Sequence, residues 1–295
     1  MPKISVIINT INEEENIKRC LESVRELANE IIVVDMYSTD KTVKIAKKFG
    51  AKIFFHKYAG GIVEPARNFA LSKATGDWIL IIDGDEEITP SLVKVIKNLS
   101  ENHKGLTYFR LPRKNIIFGK WLKHSRWWPD YNIRFFKKKH VQWSEKIHSV
   151  PLTRGTGYDL EAKEANAIIH YNYKSISQYL ERLDRYTKMQ AQDLIETGYK
   201  FNWQDMLKKP MGEFLSRFFV GEAYKDGLHG LVLALLQGFS EMVKYLKVWE
   251  KEKFIEQDIS SYHEVLEENI NDYLHWQVKA SGLIGKIRLK IKKKI

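Results

Sequence analysis

The chain has 295 residues, a hydrophobic fraction of 44% and a formal net charge of +11. This length and composition suffice for one large domain or two modest ones, and they exclude an intrinsically disordered protein. The basic charge favours a polyanionic partner, so nucleic acid, an anionic membrane and a phosphorylated ligand are the classes to weigh.

Short apolar strands alternate with helical patterns through the first hundred residues. The strand patterns lie at residues 4–8, 30–35, 52–55 and 78–83, and helical patterns follow at residues 12–28, 39–49 and 65–74 and from Thr89 onward. This alternation predicts an α/β fold with a mostly parallel, doubly wound sheet flanked by helices. The only cysteine, Cys20, excludes an internal disulfide, and its apolar helical spacing predicts a buried core position.

The second half of the chain changes character. Strand patterns at residues 107–111, 131–136 and 167–171 surround a basic, Trp-rich segment, and we expect these strands to extend the same sheet. From Ser175 onward, apolar residues recur at helical spacing. The predicted organisation is an α/β domain over residues 1–175 and a helical region over residues 176–295.

Neither a leader peptide nor a membrane span is predicted. Residues 1–10 enter a strand pattern without the basic and apolar regions of a secretory signal. The charge-free stretch at residues 227–240 has 14 residues, against about 20 needed to cross a bilayer. Near the end, Ile287 and Ile291 share a helical face, and six basic residues surround them over residues 286–295. We therefore expect a cytoplasmic protein that is peripheral on the inner face of the membrane, with this basic tail on anionic lipid.

The strongest chemical signal is the sequence Asp83-Gly84-Asp85 at the end of an apolar strand. Ligands of open parallel sheets bind at the carboxyl ends of the strands. Two carboxylates one residue apart suit Mg²⁺ or Mn²⁺, which bridge diphosphate oxygens, and Gly84 allows close backbone approach. Without further signals, a polar turn explains this sequence equally well.

Polar residues follow two other strands that end at the same edge. Asp35 ends the second strand, where a carboxylate can accept hydrogen bonds from a nucleobase or a ribose. Thr10, Asn12 and Glu13 follow the first strand. Capping of the next helix by Thr10 or Asn12 is the alternative reading. Three polar clusters at one edge favour a ligand site over capping alone.

These motifs together resemble a known family. Residues 5–14, 33–42, 66–68 and 83–85 resemble family 2 glycosyltransferases of the GT-A fold in order and spacing, and residues 129–136 and 169–171 resemble the lipopolysaccharide-core β-glucosyltransferase branch. The resemblance implies a metal-dependent, inverting hexosyltransferase. Its donor would be a nucleotide-diphosphate sugar, with UDP expected, and its acceptor a lipid-linked or cell-envelope glycan.

The resemblance also implies a role for each residue of the sheet edge. The nucleotide sugar would be held by Thr10, Asn12, Glu13, Asp35, Arg67, Asp83 and Gly84. The cofactor, Mg²⁺ or Mn²⁺, would be held by Asp85 and Asp83, and His170 would complete the metal shell. The alternative for His170 is an ordinary strand-end histidine whose hydrogen bonds the protein satisfies.

The general base departs from the family pattern. In this branch a glutamate directly after a histidine usually takes the proton of the acceptor hydroxyl, and here Ser149 follows His148. Glu145, three residues before the histidine, is our candidate base, and it joins Asp85 as a catalytic residue. Asp130 and His148 stay open as alternatives.

Other function classes compete with the transferase. A sugar nucleotidyltransferase should carry a glycine-rich loop after the first strand, and Thr10–Glu13 contains no glycine. A non-catalytic nucleotide-sugar or glycan-binding protein derived from a transferase stays open because of Ser149. A nucleic-acid partner is disfavoured, since no nucleic-acid motif accompanies the basic, Trp-rich segment at residues 110–139. A dinucleotide oxidoreductase is disfavoured because no G-x-G-x-x-G follows the first strand.

Overall fold

The computed structural model describes residues 1–57, 63–143 and 151–280. The chain forms two compact units. The first, called here the α/β unit, comprises Met1–Ile117 and Trp127–Asn172. The second, called the helical unit, comprises Phe118–Arg126 and the chain from Tyr173 onward.

Strands and helices alternate along the chain up to residue 101, and strands predominate from there to residue 173. The strands are β1 Ile4–Thr10, β2 Glu30–Asp35, β3 Lys52–Phe55, β4 Trp78–Asp83, β5 Glu86–Ile88, β6 Tyr108–Leu111, β7 Arg113–Ile117, β8 Lys120–Trp121, β9 Asn132–Lys137, β10 Val141–Gln142, β11 Leu152–Thr153, β12 Gly157–Asp159 and β13 Ile168–Tyr173. The helices up to residue 101 are α1 Ile17–Val24, α2 Thr42–Lys48, α3 Glu64–Lys73 and α4 Pro90–Glu101.

The main sheet has seven strands in the order β12-β6-β9-β4-β1-β2-β3. Strand β1 runs parallel to β2 and β4, and β2 runs parallel to β3. Only β9 is antiparallel to its neighbours, β4 and β6. The sheet is therefore mixed, mostly parallel and flanked by helices, which confirms the predicted fold class.

Strand alternation divides the core of the α/β unit into two faces. On one face Ile8 of β1 belongs to the same apolar cluster as Leu21 of α1 and Ile96 of α4. On the other face Ile7 clusters with Ala66 and Ala70 of α3. Cys20 lies in the first cluster and is fully buried, so the prediction of a core cysteine is confirmed.

Two predictions about these elements were wrong. Helix α1 begins at Ile17, not at residue 12, because Asn12 has a left-handed backbone with φ of 53°, which an α-helix cannot include. Strand β13 does not extend the main sheet. It lies between β5 and β7 in a second sheet, and its antiparallel pairing with β5 sets His170 opposite Glu86.

The helical unit contains α5 Ile176–Glu196, α6 Asp205–Leu215, α7 Leu228–Lys251 and α8 Tyr262–Ala280. A π-helical turn at Ser216–Val220 and a 3₁₀ turn at Ala223–Asp226 connect α6 to α7. Phe201, Trp203 and Val248 form part of its apolar core. Among the described helices, none combines the length and the hydrophobicity that a bilayer crossing requires.

Candidate active site

The loops after β1 and β2 are joined by polar side chains. Asn12 has a left-handed backbone with φ of 53°, and its Oδ1 accepts a hydrogen bond from the amide of Thr39 at 2.8 Å. The hydroxyl of Ser38 accepts from the amide of Asn12 at 2.8 Å and donates to Oδ1 of Asp35 at 2.5 Å. Asn16, and not Thr10 or Asn12, precedes the first turn of α1. Asn12 and Asp35 therefore lie at the same edge of the sheet, in two loops that these hydrogen bonds connect.

The end of β1 carries polar atoms with no partner. The side-chain amide of Asn9 and the hydroxyl of Thr10 are buried and form no hydrogen bond within the described residues. Beside them, a Cβ atom on Gly84 would lie only 2.8 Å from the Thr10 hydroxyl and 3.1 Å from Cγ of Glu13. Gly84 is needed for this close approach. Unsatisfied buried polar groups are rare in native proteins, and a bound ligand or water is a usual reason for them.

Asp83 is held by two arginines. Nη2 of Arg67 lies 3.0 Å and 3.1 Å from the two carboxylate oxygens, and Nη2 of Arg134 lies 2.8 Å from Oδ2. Burial by itself would raise the pKa of Asp83, but the guanidinium groups of Arg134 and Arg67 lower it well below its usual value. Asp83 is therefore an anchored carboxylate that is ionised at neutral pH, and the arginines hold positive charge at the edge of the sheet.

Three further charged residues extend this cluster. Glu86 is completely buried and accepts from Arg134 at 2.7 Å, from Arg113 at 3.3 Å and from the amide of Asp83 at 2.8 Å. Arg113 also forms an ion pair with Asp130 at 2.5 Å. Arg134, Arg113 and Glu86 were not among the predicted site residues. The available signal was Arg134 itself, since an arginine inside a buried strand needs a charged partner.

Asp85 and His170 form the second half of the site. Nε2 of His170 lies 3.5 Å from Oδ2 of Asp85, and both residues are buried. The amide of Tyr171 donates to the carbonyl of Asp85 at 3.0 Å, which holds β13 against the turn after β4. On its other side, Nδ1 of His170 lies 2.7 Å from Oδ1 of Asn115.

This pair fits a divalent cation in its chemistry. A carboxylate oxygen and an imidazole nitrogen are both ligands of Mn²⁺, and Mg²⁺ commonly takes one or two carboxylates and completes its shell with phosphate oxygens and water. Within residues 1–57, 63–143 and 151–280, no cluster of three His, Cys, Asp or Glu side chains is arranged for a metal. A cation at Asp85 and His170 would take its other ligands from water or from phosphate oxygens.

The predicted general base, Glu145, lies outside the described residues. Glu145, His148 and Ser149 all fall within residues 144–150, which are not among the described residues. Of the alternatives, Asp130 is described. Burial would raise its pKa, but Arg113 and a hydrogen bond from Asn115 hold the pKa below its ordinary value, which makes its carboxylate a weak base.

The chain is similar to known glycosyltransferases. Residues 5–157 match the model of glycosyl transferase family 2. An uncharacterised glycosyltransferase of Rickettsia typhi, RT0209, is 32% identical over 258 residues, which cover 85% of this chain and 88% of that protein. The lipopolysaccharide core biosynthesis glycosyltransferase LpsC of Rhizobium meliloti is 22% identical and aligns with 85% of this chain and 94% of its own length.

A solved structure matches a smaller part. Glucosyl-3-phosphoglycerate synthase of Mycobacterium tuberculosis, in complex with Mn²⁺, UDP and glucosyl-3-phosphoglycerate, is 25% identical with a TM-score of 0.32. The match covers 37% of this chain and 43% of that one, so less than half of either protein is compared. The family model spans more than half of the chain, and the rickettsial relative aligns over most of its length. The chain belongs to glycosyltransferase family 2.

Proposed function

We propose that this protein transfers a hexose from a UDP-linked sugar to a lipid-linked or cell-envelope glycan, with inversion at the anomeric carbon and with Mg²⁺ or Mn²⁺. One observation carries the proposal. Asp83, held by two arginines, and Asp85 lie at the turn after β4, at the carboxyl edge of the sheet in a family 2 domain, and His170 of β13 lies beside Asp85. A cation-binding pair beside guanidinium groups is suited to the diphosphate of a nucleotide sugar.

The donor nucleoside is assigned to the β1–β2 edge. This edge contains Asp35, Asn12 and Thr10. The buried side-chain amide of Asn9 and the hydroxyl of Thr10 offer hydrogen-bond donors and acceptors that the described residues do not use. Arg67 reaches Asp83 through Nη2, and its Nε has no hydrogen-bond partner within the described residues. These groups supply what a nucleoside and a diphosphate require, hydrogen bonds at one end and positive charge at the other.

The chemistry is divided among the residues of the edge. Asp85 and His170 would hold the divalent ion, which stabilises negative charge on the leaving diphosphate when it is bound. Asp83, fixed by Arg67 and Arg134, would orient the ribose and diphosphate end of the donor. Glu145 would take the proton of the acceptor hydroxyl while that oxygen attacks the anomeric carbon and the bond to the diphosphate breaks.

The acceptor and the location of the protein are proposed from a relative and from the charge of the chain. LpsC, an aligned relative, is named for lipopolysaccharide core biosynthesis, which supports an envelope glycan as acceptor. We assign residues 1–175 to catalysis and residues 176–295 to a membrane-facing helical region. The basic stretch at residues 286–295 would bind anionic lipid at the inner face of the cytoplasmic membrane. This stretch lies outside the described residues.

The proposal is tested by measuring release of nucleotide from a panel of nucleotide sugars with Mn²⁺, with Mg²⁺ and with EDTA. We expect one UDP-sugar to be hydrolysed or transferred, EDTA to abolish the reaction, and Asp85→Ala to abolish it as well. Asp193→Ala, which changes an exposed aspartate of the helical unit, is the matched control and should retain activity. A folded protein that binds no nucleotide sugar would refute the proposal.

The general base needs its own variant. Glu145→Gln removes the proton acceptor and keeps the shape of the side chain. We expect turnover to fall about 100-fold or more, because general base catalysis contributes about that much, while donor binding stays unchanged. Glu101→Gln, at an exposed helix end, is the control. Full turnover in Glu145→Gln would move the role of the base to another residue.

A further inference from the structure

Asn115 lies on β7 next to His170 and uses every polar atom of its side chain. It is completely buried. Its Oδ1 lies 2.7 Å from Nδ1 of His170. Its Nδ2 lies 2.9 Å from the backbone oxygen of Trp127 and 3.1 Å from Oδ2 of Asp130.

The two partners of Nδ2 determine which way the amide faces. A backbone carbonyl and an ionised carboxylate only accept hydrogen bonds, so the NH₂ group of Asn115 must face them. Asp130 is in turn held by the guanidinium of Arg113 at 2.5 Å, which keeps its carboxylate ionised and in place. A flipped amide would set its oxygen against two acceptors. The oxygen of Asn115 is therefore the atom that faces His170.

This orientation decides which nitrogen of His170 carries the proton. Because Oδ1 of Asn115 only accepts, Nδ1 of His170 must be the N–H donor in the neutral ring. Its Nε2 then presents a lone pair on the side of Asp85, whose Oδ2 lies 3.5 Å away. We infer that Asn115 is a positioning residue, which holds His170 as the Nδ1–H tautomer and presents Nε2, together with Asp85, to a divalent cation. The cation part of this inference rests on the proposed function.

The test is the tautomer of His170 in the metal-free protein, read from long-range ¹H–¹⁵N spectra of the neutral ring at alkaline pH. His170→Gln assigns the signal. Asn115→Leu removes the acceptor, whereas Asn115→Asp keeps an oxygen toward Nδ1 and loses the two donated bonds. Thr107→Val is the matched control, since Thr107 is a buried residue of the same unit whose side chain also donates to a backbone oxygen, that of Arg154 at 2.8 Å.

We expect the Nδ1–H signature in wild type, in Asn115→Asp and in Thr107→Val, and a mixture of tautomers in Asn115→Leu. The dissociation constant of Mn²⁺, measured by titration with UDP present, should rise about 10- to 100-fold in Asn115→Leu, as is usual when the partner of a metal-binding histidine is lost. Asn115→Asp should bind Mn²⁺ more tightly than Asn115→Leu, and Thr107→Val should match wild type.

Several results would overturn the inference. An Nε2–H signature in wild type, an unchanged spectrum in Asn115→Leu, or the same loss of tautomer in Asn115→Asp as in Asn115→Leu would each do so. If Asn115→Leu does not fold, the inference is tested by whether wild type and Asn115→Asp both show the Nδ1–H signature. Wild-type protein that binds Mn²⁺ but shows the opposite tautomer contradicts this inference alone. Wild-type protein that binds neither Mn²⁺ nor UDP contradicts the proposed function, and the cation role of Asn115 fails with it.

Discussion

Replacing Arg134 by methionine should be among the most destabilising single changes in the α/β unit. Nη2 of Arg134 lies 2.8 Å from Asp83 and 2.7 Å from Glu86, so one guanidinium compensates two carboxylates. The side chains of Arg134 and Glu86 are 5% and 0% exposed, and that of Asp83 is 25% exposed. Methionine fills much of the same volume, so the change removes charge more than packing.

The magnitude follows from the partners that remain. Removing one member of a buried ion pair usually costs about 3–5 kcal/mol, because the other charge is left uncompensated. Asp83 would keep Arg67 at 3.0 Å, and Glu86 would keep Arg113 at 3.3 Å. We therefore expect the lower end of that range, about 3 kcal/mol in the free energy of unfolding at neutral pH.

The loss should depend on pH in a defined direction. In wild type the pKa of Asp83 lies below its unfolded value of about 3.9, so its contribution is present above that pH and is lost as the pH falls through the folded pKa. Without Arg134 the pKa of Asp83 rises, because that guanidinium lowers it in wild type, and protonation of this carboxyl in mild acid relieves part of the buried charge. The difference between variant and wild type should therefore shrink from about pH 7 to about pH 5. Adding Glu86→Gln to Arg134→Met should recover part of the loss at neutral pH.

Urea unfolding followed by circular dichroism, at about pH 7 and about pH 5, measures both effects. Arg110→Met is the matched control, because Arg110 also forms a two-bonded pair, with Asp159, but its side chain is 48% exposed. An exposed pair should contribute less than about 1 kcal/mol. A loss in Arg134→Met no larger than that of the control, or a loss that grows toward pH 5, would refute the assignment of a charge-compensating role.

Three smaller changes probe the rest of the α/β unit. Gly84→Ala sets a Cβ 2.8 Å from the Thr10 hydroxyl, so UDP binding measured by calorimetry should weaken about tenfold, and unchanged binding would contradict the close approach. Ser38→Ala removes the hydroxyl that donates to Asp35 and should also weaken UDP binding. If the variant binds UDP as tightly as wild type, other contacts order the loop. Burial alone would raise the pKa of Glu30, but hydrogen bonds lower it to about 2. Glu30→Gln should therefore lower the free energy of unfolding by about 1–2 kcal/mol at neutral pH, and by less as the pH falls toward 2, as acid titration would show.

The sequence predicted what local patterns determine. Apolar runs and their turn residues located β1, β2, β3 and β4, and parallel order then placed their carboxyl ends at one edge. The helical pattern predicted from Thr89 onward is confirmed, since Thr89 precedes α4 and its hydroxyl accepts from the amide of Leu92. These features depend on residues close together in the chain.

What the sequence did not predict depends on pairing between distant residues. Nothing near residue 170 indicates that β13 pairs with the three-residue strand β5 instead of joining the main sheet. Arg113 and Arg134 lie within the basic, Trp-rich segment at residues 110–139, and both are largely buried against carboxylates. The partner of a charged side chain is a property of the fold, and one sequence without its structure leaves that partner open.

The two aspartates of the Asp83-Gly84-Asp85 turn have different partners, although their spacing suggests a shared role. Asp83 still belongs to β4, and both of its oxygens already accept from guanidinium groups. Asp85 lies past the end of the strand, where the hydrogen bond from Tyr171 brings it to His170. A cation competing for Asp83 would have to displace ion pairs that hold Arg134 over Glu86, a fully buried carboxylate with few other partners. Direct metal binding by Asp85, with Asp83 orienting the arginines, avoids that cost, and on this ground we propose Asp85 as the more direct ligand of the two.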